Sequence, residues 1–328
     1  MRIGRTVRCL LRWMGILRGR RPLPCRTDRV LTPLCVTGLI ATQFPQLKSP
    51  KTMRCGEGWD HEAYDADDRW IFRFPKRADV ERRLMAELSI LPDLKQHLPL
   101  PIPDYRFIGA PCEAFPYIFA GYEKIRGVRA ADVVLTDASR AGLAQALGQF
   151  LSQLHAFPAD AALKAGVPSA GWYVSEAACH KGARKLLRAA SKAIPRAIAR
   201  RCARFLDDPR AVPGGNGNRA VLVHQDLSPD HILLNPDDLS VAGIIDWTSA
   251  AVTDPAADFP WLWMWLGDSF VREVLAHYGG ETDDAFVSRV RFRGICMAIV
   301  EVANGIETDN HAKIDMGDGA LRRAFGER

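Results

Sequence analysis

The chain has no long hydrophobic run. Its most apolar stretch, Trp261-Leu-Trp-Met-Trp-Leu266, falls far short of the roughly 18 residues that cross a bilayer, so no transmembrane helix is expected. It has no Cys-x-x-Cys pair. Its cysteines, at positions 9, 25, 35, 55, 112, 179, 202 and 296, are scattered and have no histidines at metal-ligand spacing, as expected of reduced thiols in a cytoplasmic protein. Internal repeats and low-complexity tracts are also missing. What remains is ordinary for a globular protein: 328 residues, 48% apolar and 25% charged, enough for one large domain or two modest ones.

Acidic residues are absent from the first 26 positions, which carry eight arginines. Subtracting these from the net charge of +6 leaves −2 for the remainder, so no nucleic-acid partner is expected. Leu10, Leu11, Met14 and Leu17 lie among Arg5, Arg8, Arg12 and Arg18. The head therefore reads as a transit-like or surface-binding segment, or as residues upstream of the true start. Arg12 and Arg18 interrupt any secretory h-region. Residues 1–27 are expected to lie outside the folded body, which begins near Asp28.

Leu31 to Phe44 reads as a short helix, with Pro45 to Pro50 as its exit. Arg54 to Asp60, then Glu62 to Tyr64 and Asp68 to Phe74, suggest a strand, a glycine-containing turn and a second strand ending at Pro75. Trp70, Phe72 and Phe74 share one face of that strand, with Ile71 and Arg73 on the other. Val80, Leu84, Leu88 and Leu91 recur at helical spacing up to Pro92, with Glu87 flanking them. Tyr105 to Gly109 and Pro116 to Tyr122 read as strands. Helical periodicity follows from Ser139 to His155, with Leu143, Leu147, Phe150, Leu151 and Leu154 inward, and a basic amphipathic helix from Arg184 to Leu206. Pro213 to Asn218 reads as a loop.

The most informative stretch is Val221 to Leu234, two apolar runs around the polar loop His224-Gln-Asp-Leu-Ser-Pro-Asp-His231. A buried-looking strand, Val241 to Ile245, then delivers Asp246 and Trp247. Asp226 and Asp246 are expected at the ends of adjacent strands, facing one crevice. Phosphoryl transfer needs such a pair, one carboxylate taking the acceptor proton and the other holding Mg²⁺ against nucleotide phosphates.

These motifs, with Gly243-Ile-Ile-Asp-Trp247 and Asp254-Pro-Ala-Ala-Asp258, resemble the aminoglycoside phosphotransferase family, and the resemblance runs from about residue 30 to 310. It implies an α+β, two-lobed, protein-kinase-like fold, with a small β-rich nucleotide-binding lobe over residues 28–122 and a larger, mainly helical catalytic lobe over 123–328. The implied activity is transfer from ATP or GTP, with Mg²⁺, to a small-molecule hydroxyl by a monomer. Asp226 would be the catalytic base, and Asp246 and His231 would stand in the metal positions. Gly56 and Gly58 would cover the phosphates. Arg73 would contact them and pair with Glu87, with Lys76 as fallback. Tyr122, Glu123 and Ile125 would form the hinge that meets the nucleotide base.

Two positions depart from the family pattern. His231 replaces a usual Asn, so either Asp246 holds the metal chiefly alone or His231 organises the loop. Gln225 stands where Gly is common. For the acceptor, residues 254–328 carry thirteen acids against eight bases, which favours a cationic aminoglycoside and hence a role in antibiotic resistance. Asp258, Glu281, Asp283, Asp284, Glu301, Glu307 and Asp309 are candidate contacts. The Trp261–Leu266 run could instead line a macrolide pocket, although packing is the simpler reading. A kinase acting on a metabolic acceptor and a nucleotide-binding pseudokinase also fit the motifs.

Overall fold

The computed structural model describes residues 31–169, 175–213, 220–282 and 285–326, so the basic head, Asp283, Asp284 and most of the Pro213 to Asn218 loop lie outside the described residues. The chain divides into two compact units, one ending at Gln96 and resumed over Pro101–Arg126, the other comprising His97–Leu100 and the chain from Gly127. The first unit extends past Tyr122 because Lys124 and Arg126 pair with Asp65 and Asp68 of its own sheet.

The first unit opens with α1 (Pro33–Gln43). Thr32 caps it by accepting from Cys35 N, and Pro33 sits where its missing N–H costs nothing. Five antiparallel strands follow, β1 (Thr52–Glu57), β2 (His61–Ala66), β3 (Trp70–Pro75), β4 (Tyr105–Gly109) and β5 (Phe119–Glu123), in the order β1-β2-β3-β5-β4. Two strands, not one, precede Trp70. The β2–β3 turn places Asp67 and Asp68 at φ 58° and 53°, left-handed values that Asp tolerates better than most residues. Phe72 and Phe74 are fully buried on the expected face, and Phe74 stacks on Phe119 with centroids 4.7 Å apart. Helix α2 (Ala78–His97) does not stop at Pro92, and Leu94 beyond it is fully buried. Packing of this last turn outweighs the hydrogen bond that proline removes.

The second unit contains β6 (Val128–Arg129), α3 (Asp137–Ala156), α4 (Ala159–Lys164), α5 (Glu176–Ala190), α6 (Arg196–Asp207), β7 (Val221–Val223), β8 (Ile232–Leu234), β9 (Val241–Ile244), β10 (Ala251–Thr253), α7 (Pro260–Leu275), α8 (Phe286–Thr308) and α9 (His311–Phe325). A reciprocal capping box between Thr136 and Ser139 starts α3, which buries Leu143, Leu147, Phe150, Leu151 and Leu154 as its spacing predicts. The basic segment expected as one helix is two, α5 and α6, because Pro195 interrupts it. In α7, Leu262, Trp263 and Met264 are buried, and Trp263 packs so closely that a Cβ on Gly294 would lie 2.3 Å from its ring. This is core packing.

Helices α3 and α7 meet at Gly148, where a Cβ would stand 2.5 Å from Val274 O and 2.7 Å from His277 Cβ. Backbone cannot rotate away as a side chain can. Gly148→Ala is expected to lower stability by about 1–3 kcal/mol, read as a reduced urea midpoint with an unchanged slope.

Candidate functional site

Strand β7 ends at Val223, and the chain enters a loop whose backbone is held from beneath by Asp258. That carboxylate is 1% exposed. It accepts from His224 N at 3.1 Å and Gln225 N at 2.5 Å, and from His155 Nε2 at 2.9 Å, while Tyr278 O–H meets His155 Nδ1 at 2.7 Å. Asp258, expected among the acceptor contacts, is therefore a brace for the loop: it is buried and both of its oxygens are engaged by the protein. His155 and Tyr278 extend the brace.

Gln225 takes φ 69°, a left-handed conformation that costs a side-chain-bearing residue about 1–2 kcal/mol. This explains why glycine suits the position. His224 is fully buried, and burial pushes its pKa down to about 4. It is a neutral imidazole with Nε2–H donated to Ile245 O at 3.1 Å and Nδ1 accepting from Asp226 N at 3.2 Å.

Asp226 is thereby aimed by its backbone, leaving the carboxylate 29% exposed. Burial raises its pKa to about 6. The His231 charge works against that shift, Asp246 and Glu301 add to it, and Lys313 opposes it. His231 donates Nδ1–H to Asp226 O at 2.8 Å. Its ring stands between two carboxylates, with Nδ1 3.6 Å from Asp226 Oδ2 and Nε2 3.6 Å from Asp246 Oδ2. Burial alone would lower the His231 pKa, but the two carboxylates outweigh it and raise it.

Asp246 follows β9 at φ 62°, and its Oδ1 accepts from Thr248 Oγ1 at 2.9 Å. The strands delivering the two aspartates are not neighbours. β7 pairs with β10, and β9 pairs with β8. Loop 224–231 crosses between the two ladders, and Ile245 N bonding to His231 O ties β9 to it. A hard cation that keeps several waters suits Asp246, an oxygen donor 38% exposed, completed by phosphate oxygens. The imidazole suits it poorly, and its Nδ1 bond fits a loop-organising role. Among the described residues no three His, Cys, Asp or Glu side chains converge as a metal cage.

Glu301 on α8 is 7% exposed, with Lys313 Nζ of α9 3.1 Å from Oε2 and Asn304 Nδ2 3.2 Å from Oε1. Among the acceptor candidates in the described residues, Glu301 is one whose charge raises the Asp226 pKa. Glu281, Glu307 and Asp309 are exposed.

In the first unit, Arg73 Nη1 lies 2.6 Å from Glu87 Oε1, and both side chains are buried. Tyr105 O–H also donates to Glu87 and receives Arg73 Nη1 at 3.0 Å, while His61 Nδ1 lies 3.2 Å from Nη2. Tyr105 and His61 are not singled out by sequence, since nothing in a strand pattern marks a polar partner. Lys76, the fallback, is 3% exposed and donates to Gly58 O at 2.8 Å, bracing that turn. A Cβ would make only ordinary contacts at Gly56 and Gly58. Tyr122 is buried against Tyr105, Glu123 is exposed at the end of β5, and Ile125 is half-buried.

Three comparisons bear on this geometry. The model of the phosphotransferase enzyme family (APH) matches residues 51–288. The uncharacterized protein YcbJ of Bacillus subtilis is 26% identical over 258 residues, covering 74% of this chain and 79% of that protein. Among solved structures, the GDP and kanamycin complex of APH(2″)-IIIa is 27% identical with a TM-score of 0.69, covering 90% of this chain and 99% of the other. The macrolide 2′-phosphotransferase MphH from Brachybacterium faecium is 25% identical with a TM-score of 0.58, covering 87% and 97%.

Proposed function

The chain belongs to the phosphotransferase enzyme family, and on that premise we propose that it moves the terminal phosphoryl group of ATP or GTP to a hydroxyl of an aminoglycoside. The observation that carries this reading is the pair of carboxylates, Asp226 and Asp246, flanking one imidazole at 3.6 Å each.

Asp226 accepts the hydrogen bond of the acceptor hydroxyl and orients it for in-line attack. As the new O–P bond forms, the bond from the terminal phosphorus to the bridging oxygen breaks, and the hydroxyl proton passes to Asp226. Asp246 would hold Mg²⁺, which when bound supplies positive charge against the phosphate oxygens. His231 keeps the loop and both carboxylates in register. Arg73, fixed by Glu87, is assigned to the nucleotide phosphates, as are the backbone amides near Gly56 and Gly58. The Tyr122 to Ile125 segment is assigned to the base.

Two observations favour a cationic acceptor. The kanamycin-bound relative is more similar to this chain than the macrolide enzyme by both measures. Glu301, already holding the Lys313 ammonium, offers a carboxylate that an acceptor ammonium would occupy in its place. Glu281 and Glu307 are further candidates. Nucleoside diphosphate release across aminoglycosides and macrolides, with Asp226→Asn as control, tests the reading. Turnover with macrolides alone would replace the acceptor class, and nucleotide binding without turnover on either would reject both.

The raised pKa of Asp226 has a kinetic signature. The ionised carboxylate is the competent form, so kcat/KM for the acceptor is expected to be level above pH 6 to 7 and to fall towards tenfold per unit below about 6. A profile flat down to pH 5 would remove Asp226 as the base.

A further inference from the structure

Phosphoryl transfer makes no use of the charge carried by the α5–α6 pair. Positions 177 to 206 hold nine lysines and arginines and no acid. On α5, Lys181, Arg184, Lys185 and Arg188 are exposed at i, i+3, i+4 and i+7, the spacing of a single helix face. On α6, exposed Arg196, Arg200 and Arg204 repeat every fourth residue. The opposite faces are buried, through Cys179 and Ala183 on α5 and Ile198, Cys202 and Leu206 on α6.

The helices form an antiparallel hairpin. The start of α5 meets the end of α6, with His180 Nε2 donating to Leu206 O at 2.6 Å and Arg184 2.6 Å from Asp207. The two helices therefore run side by side with axes about 8–10 Å apart, each carrying a basic stripe about 10–12 Å long. Asp207 offsets Arg184 at one end, but along the rest of the two helices the like charges outnumber the acids and repel one another, and a polyanion relieves that repulsion.

The surroundings of the charges select the polyanion. Six of the nine are arginines, whose guanidinium fork matches phosphate oxygens. Among the described residues, no large apolar side chain of either helix is among the exposed ones, so the face has nothing to insert into a bilayer. Phe205, the aromatic residue of α6, packs inward on Phe292 and Phe325 and cannot stack on unpaired bases. We propose that the α5–α6 face binds the phosphodiester backbone of a double-stranded nucleic acid, RNA or DNA, without reading its sequence. The expectation of no nucleic-acid partner rested on a net charge of −2, which averages this face with the acidic segment 254–328.

The test uses the full chain and short labelled RNA and DNA duplexes, titrated at several salt concentrations. Binding is expected to weaken steeply with salt. A variant carrying Lys181→Gln, Arg188→Gln, Arg200→Gln and Arg204→Gln should lose at least about tenfold in affinity, its log–log salt slope flattening by roughly 0.9 for each phosphate no longer neutralised. Its thermal midpoint and kcat/KM should match the parent. Because the head carries eight arginines, a second variant with those changed to glutamine is measured beside it. Tighter binding of one duplex identifies the source of the backbone. The proposal is overturned by a failure to bind either duplex at low salt, by loss of binding in the head variant alone, or by the helix variant losing only adhesion to anionic vesicles.

Discussion

Asp226→Asn is expected to lower kcat by about 10²- to 10⁴-fold, the range over which a positioned base contributes, and to leave nucleotide affinity near the parent value. The substitution keeps the shape of the side chain but removes its ability to accept a proton. The loop should survive, because the bonds that hold it run to the backbone of Asp226, from His231 Nδ1 to its carbonyl and from its N–H to His224 Nδ1. Stability should rise. Burial lifts the folded-state pKa to about 6, above its unfolded value. The ionised form is therefore disfavoured in the fold, a cost fully present above pH 6 and relieved as the pH falls towards 4. Removing the charge should stabilise the protein at neutral pH by on the order of 1–3 kcal/mol. Loss of turnover together with a higher urea midpoint would separate a chemical defect from misfolding. Retention of full turnover would refute the assignment of the base.

Asp258→Ala should act in the opposite sense. The carboxylate is buried and collects three donors, the amides of His224 and Gln225 and the His155 imidazole. Its removal leaves all three facing a cavity. A loss of about 3–5 kcal/mol is expected, read by denaturant unfolding. Gln225 occupies a left-handed conformation that those bonds enforce, so the loop should relax and misdirect Asp226. In protein that remains folded, kcat should fall while nucleotide affinity changes little. Unchanged stability would mean that the brace is not what holds the loop.

Some elements are legible in the sequence because their cause is local. The α3 stripe and the Trp70-Phe72-Phe74 face follow from periods of 3.6 and 2, and the two aspartates stand in short polar motifs bracketed by apolar runs. Where distant contacts outweigh local signals, the pattern misleads. Pro92 does not end α2, since Leu94 beyond it is buried. The basic stretch breaks at Pro195, although its amphipathic pattern runs straight through that residue. β2 is hidden within a polar segment whose alternation is masked by buried Glu62 and Asp65.

The sequence by itself therefore determined the family, the β-rich and helical units and the identity of both candidate carboxylates, because spacing along one chain is enough to define a motif. Only the tertiary structure decided what each polar residue does. It turned Asp258 from an acceptor contact into a loop brace, placed His231 between two aspartates whose strands are not neighbours, and packed α5 against α6 with basic residues of each left exposed. Burial and partner geometry depend on residues dozens of positions away, as His155 and Asp258 show, and those distances close only when the chain folds.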